Sequence, residues 1–261
     1  MARAKGIHRH PLFKLGKARA RRDARNFKFA ALLKKRLSLP KEYDFDLTHP
    51  GIPTPIFGND RYGDCVIAGR AHQTLRFEDV EQRKVLAITD ADVTKEYFKE
   101  TGGPDSGLVV LDSLKEWRVS GWIAAKKRYR IRAFSELDRG VRDQMKQAIV
   151  LDIGVGLGLA MPITAQAQFQ AGKPWDVTTG HGSAPNSWGG HYVHVPGYTT
   201  AGPVCVTWGR KQQMTWAFFA KYCDEAYAIF DAKDTAKVRR ALDGKKLRAL
   251  LARCRAISPR T

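Results

Sequence analysis

Phe57-Gly58-Asn59-Asp60-Arg61-Tyr62-Gly63-Asp64-Cys65-Val66-Ile67-Ala68-Gly69 is the stretch on which the reading of this chain turns. Glycines at 58 and 63 with polar residues between them mark a loop. From Cys65 onward, Val66, Ile67, Ala71, Leu75 and Val80 supply apolar positions, and the spacing predicts a helix from Cys65 to about Arg83. Cys65 then stands in the first helical turn. Backbone N–H groups there lack intrahelical partners, and the positive end of the helix dipole favours a thiolate. A thiolate attacks carbonyl carbon far better than a thiol. Asn59, six residues upstream, carries an amide that can donate to the oxyanion such an attack creates; the backbone N–H of Cys65 is the natural second donor. A free cysteine is also a common small core residue. The Gly-Asp-Cys context at a helix start favours a nucleophile over that reading.

Working outward, Pro50, Pro53 and Pro55 make residues 43–58 an extended lead-in strap. After the cysteine helix, Asp92–Glu100 reads as a second helix, stopped by Gly102-Gly103-Pro104. Leu108–Val119 reads as a third, with Leu111, Leu114 and Trp117 on one face. Ser135 is expected to cap a fourth, running to about Gln147. The texture then changes. Ile149–Gly158 is β-branched and glycine-rich, as a buried strand would be. Residues 170–190 read as a long loop. His191–Tyr198 and Pro203–Trp208 read as two short strands joined by a turn at Thr200–Gly202. Thr215 is placed to cap a helix carrying Phe218, Phe219, Tyr222 and Ala226. A last basic amphipathic helix is expected over Asp234–Cys254, with Val238, Leu242, Leu247, Leu250 and Leu251 as its stripe. Helices first and sheet second is an α+β layout.

Two further stretches join the first. Gly189-Gly190-His191-Tyr192-Val193-His194-Val195-Pro196-Gly197-Tyr198 places an imidazole on a strand, and Pro203–Gly209 follows as the next strand. Together with Asn59 and Cys65, these resemble the papain-like cysteine peptidases and the related double-glycine leader peptidases, over roughly residues 55–230. The resemblance implies a papain-like α+β fold: an N-terminal helical half that starts with the cysteine helix, and a C-terminal antiparallel half. It implies Cys65 as nucleophile, His191 as general base and Asn59 as oxyanion donor, where the family usually has Gln. The family's Asn-Ser-Trp-Gly strand supplies the residue that orients the histidine. Aligned on Trp208-Gly209, this chain has Val206 and Thr207 in place of Asn and Ser. Val206 cannot bond an imidazole; Thr207 is a weak substitute. Asn186-Ser187-Trp188-Gly189 spells the same tetrapeptide but precedes His191, and is read as coincidence.

Other polar residues have plainer readings. Strand alternation turns His194 away from the face of His191. His181, His191 and His194 lack a fourth ligand at zinc-like spacing, so neither metal nor cofactor is expected. Gly154-x-Gly156-x-Gly158 lacks the helix and acidic partner of a dinucleotide site. Asp64 reads as a cap or an exposed charge. The four cysteines show no CxxC pairing, and reduced thiols are expected.

The chain has 261 residues and a net charge of +19, unevenly spread. Residues 1–41 hold 14 Lys/Arg and one acid; residues 233–261 hold 10 and two; the remainder is near neutral. This divides the chain into a basic N-terminal arm (1–42), a papain-like domain (43–232) and a basic C-terminal helix (233–261). In the arm, Phe27, Phe29, Leu32, Leu33 and Leu37 suggest a short amphipathic helix that docks on something. No stretch is apolar enough to span a membrane, and the start has no secretory h-region, so a cytoplasmic or virion-associated protein is expected. Two functions follow. One is a cysteine peptidase or acyl-transfer enzyme acting on a peptide or protein. The other is a weakly active or inactive papain-like fold serving as a structural component, for example of a bacteriophage particle. In that case the basic arms would meet nucleic-acid phosphates or a large protein assembly.

Overall fold

The computed structural model describes residues 13–34, 37–233 and 235–256. In chain order the elements are β1 (Tyr43–Asp44), α1 (Phe45–Thr48), α2 (Cys65–Gln82), α3 (Asp90–Thr101), α4 (Val110–Val119), β2 (Trp122–Ala124), β3 (Lys127–Tyr129) and β4 (Ile131–Glu136). Then come α5 (Arg142–Val150), β5 (Gly154–Met161), α6 (Thr164–Gln170), β6 (Gly189–Tyr198), β7 (Pro203–Thr207), β8 (Arg210–Gln213), α7 (Trp216–Tyr222), β9 (Cys223–Asp231), α8 (Ala236–Ala241) and α9 (Gly244–Ala256).

The helical half follows the sequence pattern closely. α2 starts at Cys65 and ends where Arg83 turns left-handed, at φ 52°. Fifteen of its 18 residues are buried; it is a central helix rather than an amphipathic surface one. Arg70, 2% exposed, ties it to α3 through Glu100 at 2.7 Å and Glu96 at 3.6 Å. α3 opens on a capping box, Thr89 with Asp92, and closes on left-handed Gly102.

The second half is a seven-stranded antiparallel sheet in the order β4-β9-β5-β6-β7-β8, with β1 also paired to β6; β2 and β3 form a separate hairpin. Here the structure departs from the sequence reading. Ser135 caps nothing: it lies in β4, fully buried and paired with Ala228. α5 begins only at Arg142, and β5 runs from Gly154 to Met161. The run Ile149-Val150 belongs to the end of α5, and Asp152, with φ 59°, makes the turn into the strand. Ala226 is not helical either. α7 stops at Tyr222, and Cys223 opens β9. Pairing to β4 and β5 on both sides decides that segment, which no local period announces. The expected C-terminal helix is two helices, broken at Leu242-Asp243. The amide of Asp243 donates to Leu32 O, and its carboxylate accepts from the amides of Lys245 and Lys246. The side chains of Leu250 and Cys254 fall outside the described residues.

The core splits in two. One cluster joins α5, α6, α7 and one sheet face, with Val193, Val195 and Trp208. The other joins α2, α3 and α4, with Cys65, Tyr192 and Tyr227. β6 lies between, its alternate residues feeding each cluster. The N-terminal stretch packs on both halves rather than standing free. Phe29 and Leu32, in a short 3-10 turn at Phe29–Leu32, are fully buried in the first cluster. Within the described residues no helix is long and apolar enough to cross a membrane.

Candidate active site

Cys65 sits at the first position of α2, as its loop context predicts, with Asp64 as N-cap residue. The thiol is 1% exposed. Burial pushes its pKa up to about 11, against a smaller opposite pull from the backbone of Tyr192 and Gly16. The helix start therefore does not deliver a thiolate in this state: the desolvation of a covered cysteine outweighs the dipole. Asp64 is neither a side-chain cap nor an exposed charge. It is fully buried, makes no capping bond, and burial raises its carboxyl to about 8.

His191 lies on β6, opposite Leu159 of β5, and is 1% exposed. Its ring stacks on Trp208, with centroids 4.2 Å apart and planes 13° from parallel. Nε2 is 2.7 Å from the Thr207 hydroxyl. Nδ1 is buried with no hydrogen-bond partner among the described residues. Burial lowers the ring's pKa to about 3, so it is neutral near pH 7. Val206 lies buried on β7 opposite His194. Thr207 is thus the side chain of its strand that meets the imidazole. His194 bonds Val155 O through Nδ1 at 3.0 Å, on the other face, as alternation requires. Asn186-Ser187-Trp188 precedes β6; Trp188 packs on Trp208 with centroids 5.5 Å apart. Asn59 is 2% exposed and donates from Nδ2 to Tyr62 O at 3.1 Å, inside the loop that leads to Cys65.

The sequence reading missed what lies over these residues. Phe13 to Ala18 run across the junction of the two halves. Lys14 N donates to Asn59 O, Lys17 N to Gly190 O and Ala18 N to Leu108 O, while Leu108 N donates to Gly16 O. The bonds with Asn59 and Leu108 belong to the helical half, that with Gly190 to the strand of His191. Phe13 packs against Trp208 and Phe169 at centroid distances of 4.8 and 4.9 Å. Glycines make the slot: a Cβ at Gly16 would overlap the carbonyl of Gly63, one at Gly107 the carbonyl of Gly16, and one at Gly190 the carbonyl of Lys17. The Lys17 side chain is 1% exposed, with Nζ 2.8 Å from Asp224 and 3.2 Å from Glu225. Other bases of this stretch are also paired within the protein: Arg21 with Asp112, Arg25 with Asp23, and Lys28 with Glu136. The signal in the sequence was Leu15-Gly16-Lys17, a glycine inside a basic run with aromatics on either side.

No family model and no curated protein matches the chain. Solved structures do. Xylellain, a cysteine protease from Xylella fastidiosa, superposes with a TM-score of 0.66 at 16% identity, covering 88% of this chain and 100% of that one. ProCathepsin B S9 from Trypanosoma congolense gives 0.58 at 14% identity, covering 85% and 87%. The Carica candamarcensis cysteine protease CMS1MS2, in complex with E-64, gives 0.56 at 13% identity, covering 75% and 100%.

Proposed function

We propose that this chain, whose fold is papain-like, is a cysteine peptidase acting on peptide or protein substrates, with Cys65 as nucleophile and His191 as general base. One observation carries the reading. α2, which opens with Cys65, packs against the strand of His191, with Cys65 and Tyr192 in one buried cluster, while His191 Nε2 meets Thr207 and its Nδ1 has no partner among the described residues. With Nε2–H donating to the Thr207 hydroxyl, Nδ1 presents a lone pair. That lone pair takes the thiol proton as sulfur attacks the scissile carbonyl, and the imidazolium returns it to the leaving amine. Water, or an amine in an acyl transfer, then releases the thioester. Trp208, stacked on the ring, and Thr207 stand in for the side-chain amide that orients the histidine in papain-like enzymes. The Cys65 N–H and the Asn59 amide are the donors proposed for the oxyanion. Asn59 would have to turn part of its amide from Tyr62 to serve.

The covered thiol also bears on the second reading, a papain-like fold kept for a structural role, since a cysteine 1% exposed and held protonated is not competent as it stands. A substrate must displace residues 13–18. The pairing of Arg21 with Asp112 and of Lys28 with Glu136 favours the domain itself, over phosphates or an outside assembly, as the surface this stretch meets.

A peptidyl epoxide decides between the two. The full chain is treated with the reagent after mild urea has loosened the N-terminal stretch, and the modified residues are mapped by mass spectrometry. The expected result is modification of Cys65 with Cys205 and Cys223 untouched, abolished by His191→Ala. An unmodified Cys65, or modification indifferent to His191, overturns the peptidase reading and leaves the structural one.

A further inference from the structure

The β2–β3 hairpin stands apart from the seven-stranded sheet and gathers positive charge that the fold leaves uncompensated. We propose that its outer face docks the protein on a bilayer of anionic phospholipid. Arg128 and Arg130 seat a headgroup phosphate, and Val119 and Ile123 enter the apolar layer beside it. The proposal is independent of the chemistry at Cys65.

The strands pair Trp122 with Tyr129, Ile123 with Arg128 and Ala124 with Lys127, so Ala125-Lys126 is the whole connection. Both residues have positive φ, 46° and 63°, in a two-residue turn of the kind that Asn and Gly ordinarily fill. Here a lysine stands exposed at the tip. Cross-strand partners share a face, and faces alternate along each strand. Trp122 is buried and Tyr129 half-buried, whereas Ile123, 52% exposed, and Arg128 make the outer face.

The two arginines are held side by side. Arg128 Nη1 and Arg130 Nε both donate to Ser120 O, at 2.7 and 3.2 Å. Ser120 caps the C-terminal end of α4, where the negative end of the helix dipole favours cations. Gly121, with φ 71°, makes the room: a Cβ there would sit 2.5 Å from Arg130 Cγ and 3.3 Å from Arg128 Cγ. Unlike Arg21 and Lys28, none of Lys126, Lys127, Arg128 and Arg130 makes an ion pair among the described residues. Glu78, Glu81 and Asp231 share with β3 a cavity of about 240 Å³. They subtract little from this charge. Glu81 pairs with Lys233, Glu78 accepts from Gln82, and burial favours the neutral form of Glu78 and Asp231. The remaining N–H donors of the two guanidinium groups form forks that match a phosphate.

The apolar neighbours choose among phosphate-bearing partners. Val119, 55% exposed, adjoins Ser120, and Ile123 lies opposite Arg128. Aliphatic side chains gain nothing from a nucleic-acid backbone, but they gain from the boundary between headgroups and acyl chains while adjacent bases meet the surface charge. The exposed large apolar side chains of the described residues are all aliphatic, so no aromatic platform is offered to stack nucleic-acid bases.

The test is co-sedimentation of the full chain, at physiological salt, with vesicles of phosphatidylcholine and phosphatidylserine in equal parts and with vesicles of phosphatidylcholine alone; binding to a DNA duplex is measured in parallel. Because both ends of the chain are basic, Lys245→Gln with Lys246→Gln, at exposed positions of α9, is the charge-matched control. The anionic vesicles are expected to bind and the neutral ones not. Arg128→Gln with Arg130→Gln should weaken vesicle binding at least tenfold, and the control pair by less than twofold. Val119→Ser with Ile123→Ser changes no charge and leaves the bonds to Ser120 intact. It should weaken vesicle binding at least fivefold and leave the duplex unaffected. Equal losses in the two charge pairs would reduce the effect to general attraction and overturn the proposal, as would a serine pair without effect. A duplex that binds through Arg128 and Arg130 more tightly than the vesicles do would make the hairpin a nucleic-acid contact instead.

Discussion

At the scale of single residues, the site depends on how His191 is held. In the proposed site a hydroxyl, Thr207 Oγ1, lies 2.7 Å from Nε2 and takes the part of an orienting side-chain amide. A hydroxyl both donates and accepts, so it selects one imidazole tautomer less firmly than an amide oxygen would. The Trp208 face compensates by restricting the ring plane. Removing one neutral hydrogen bond costs about 1 kcal/mol, or about fivefold. Thr207→Val is therefore expected to lower kcat/KM by about that factor, with Thr207→Ser near the parent value. Steady-state hydrolysis of a peptide substrate by the arm-displaced protein measures both. An unchanged rate in the valine variant would remove Thr207 from the machinery.

At the scale of elements, the segment from Phe13 to Ala18 keeps the cysteine helix covered. Its backbone passes so close to Gly63 that only glycine fits at position 16, and so close to Gly107 that only glycine fits there. Gly16→Val is expected to lift the segment and expose Cys65. Each unit by which the thiol pKa falls from about 11 raises the thiolate fraction tenfold at neutral pH. Alkylation of Cys65 by iodoacetamide at pH 7.5 should accordingly quicken by at least tenfold, and its pH profile should move toward lower pH. A Gly16→Val protein with the parent's slow, alkaline profile would show that burial of the thiol has another cause.

At the scale of the whole molecule, the buried acids set the pH response. Asp64 and Asp231 are both raised to about 8 by burial, Asp231 also by Glu81. Between their unfolded values and 8, each binds a proton in the folded state that the unfolded chain has lost. Stability therefore falls as pH rises through that window, by at most about 1.4 kcal/mol per pH unit per group. Burial depresses the pKa of His72, His191 and His194, so these act in the opposite sense, but only below about pH 6.5, where the unfolded imidazoles charge. From pH 6.5 to 8 the buried acids act, these two foremost and Glu78, Glu100 and Glu225, which burial also raises, in the same sense; above that the raised thiols of Cys65, Cys205 and Cys223 continue the trend. Urea unfolding at pH 6.5 and pH 8 is expected to show a loss of stability that Asp64→Asn with Asp231→Asn largely removes. A parent protein equally stable at both values would show that these carboxyls are not protonated in the fold.

The start of α2, the strand of His191, the two helices after α2 and the cap at Thr215 were legible, because each is announced locally: a glycine-bounded loop, a helical spacing of apolar residues, a capping hydroxyl. The boundaries of β5, the identity of β4 and the existence of β9 were not. Ser135 and Ala226 take their state from strands far away in the chain, and a residue's own neighbours carry no record of that pairing. The joint approach of Asp224 and Glu225 to Lys17 was invisible for the same reason, since alternation forbids what a bulge permits.

The sequence alone determined where the candidate residues stand, Cys65 at a helix start and His191 on a strand, because those contexts are written within a dozen neighbouring positions. Only the tertiary structure decided the state of that chemistry. It brought Tyr192 and Gly16 onto the sulfur, Thr207 onto the imidazole, and Lys17 between two carboxylates. Burial and long-range contact, which set the proton affinity of each group, are properties of the packed chain and of no single stretch of it.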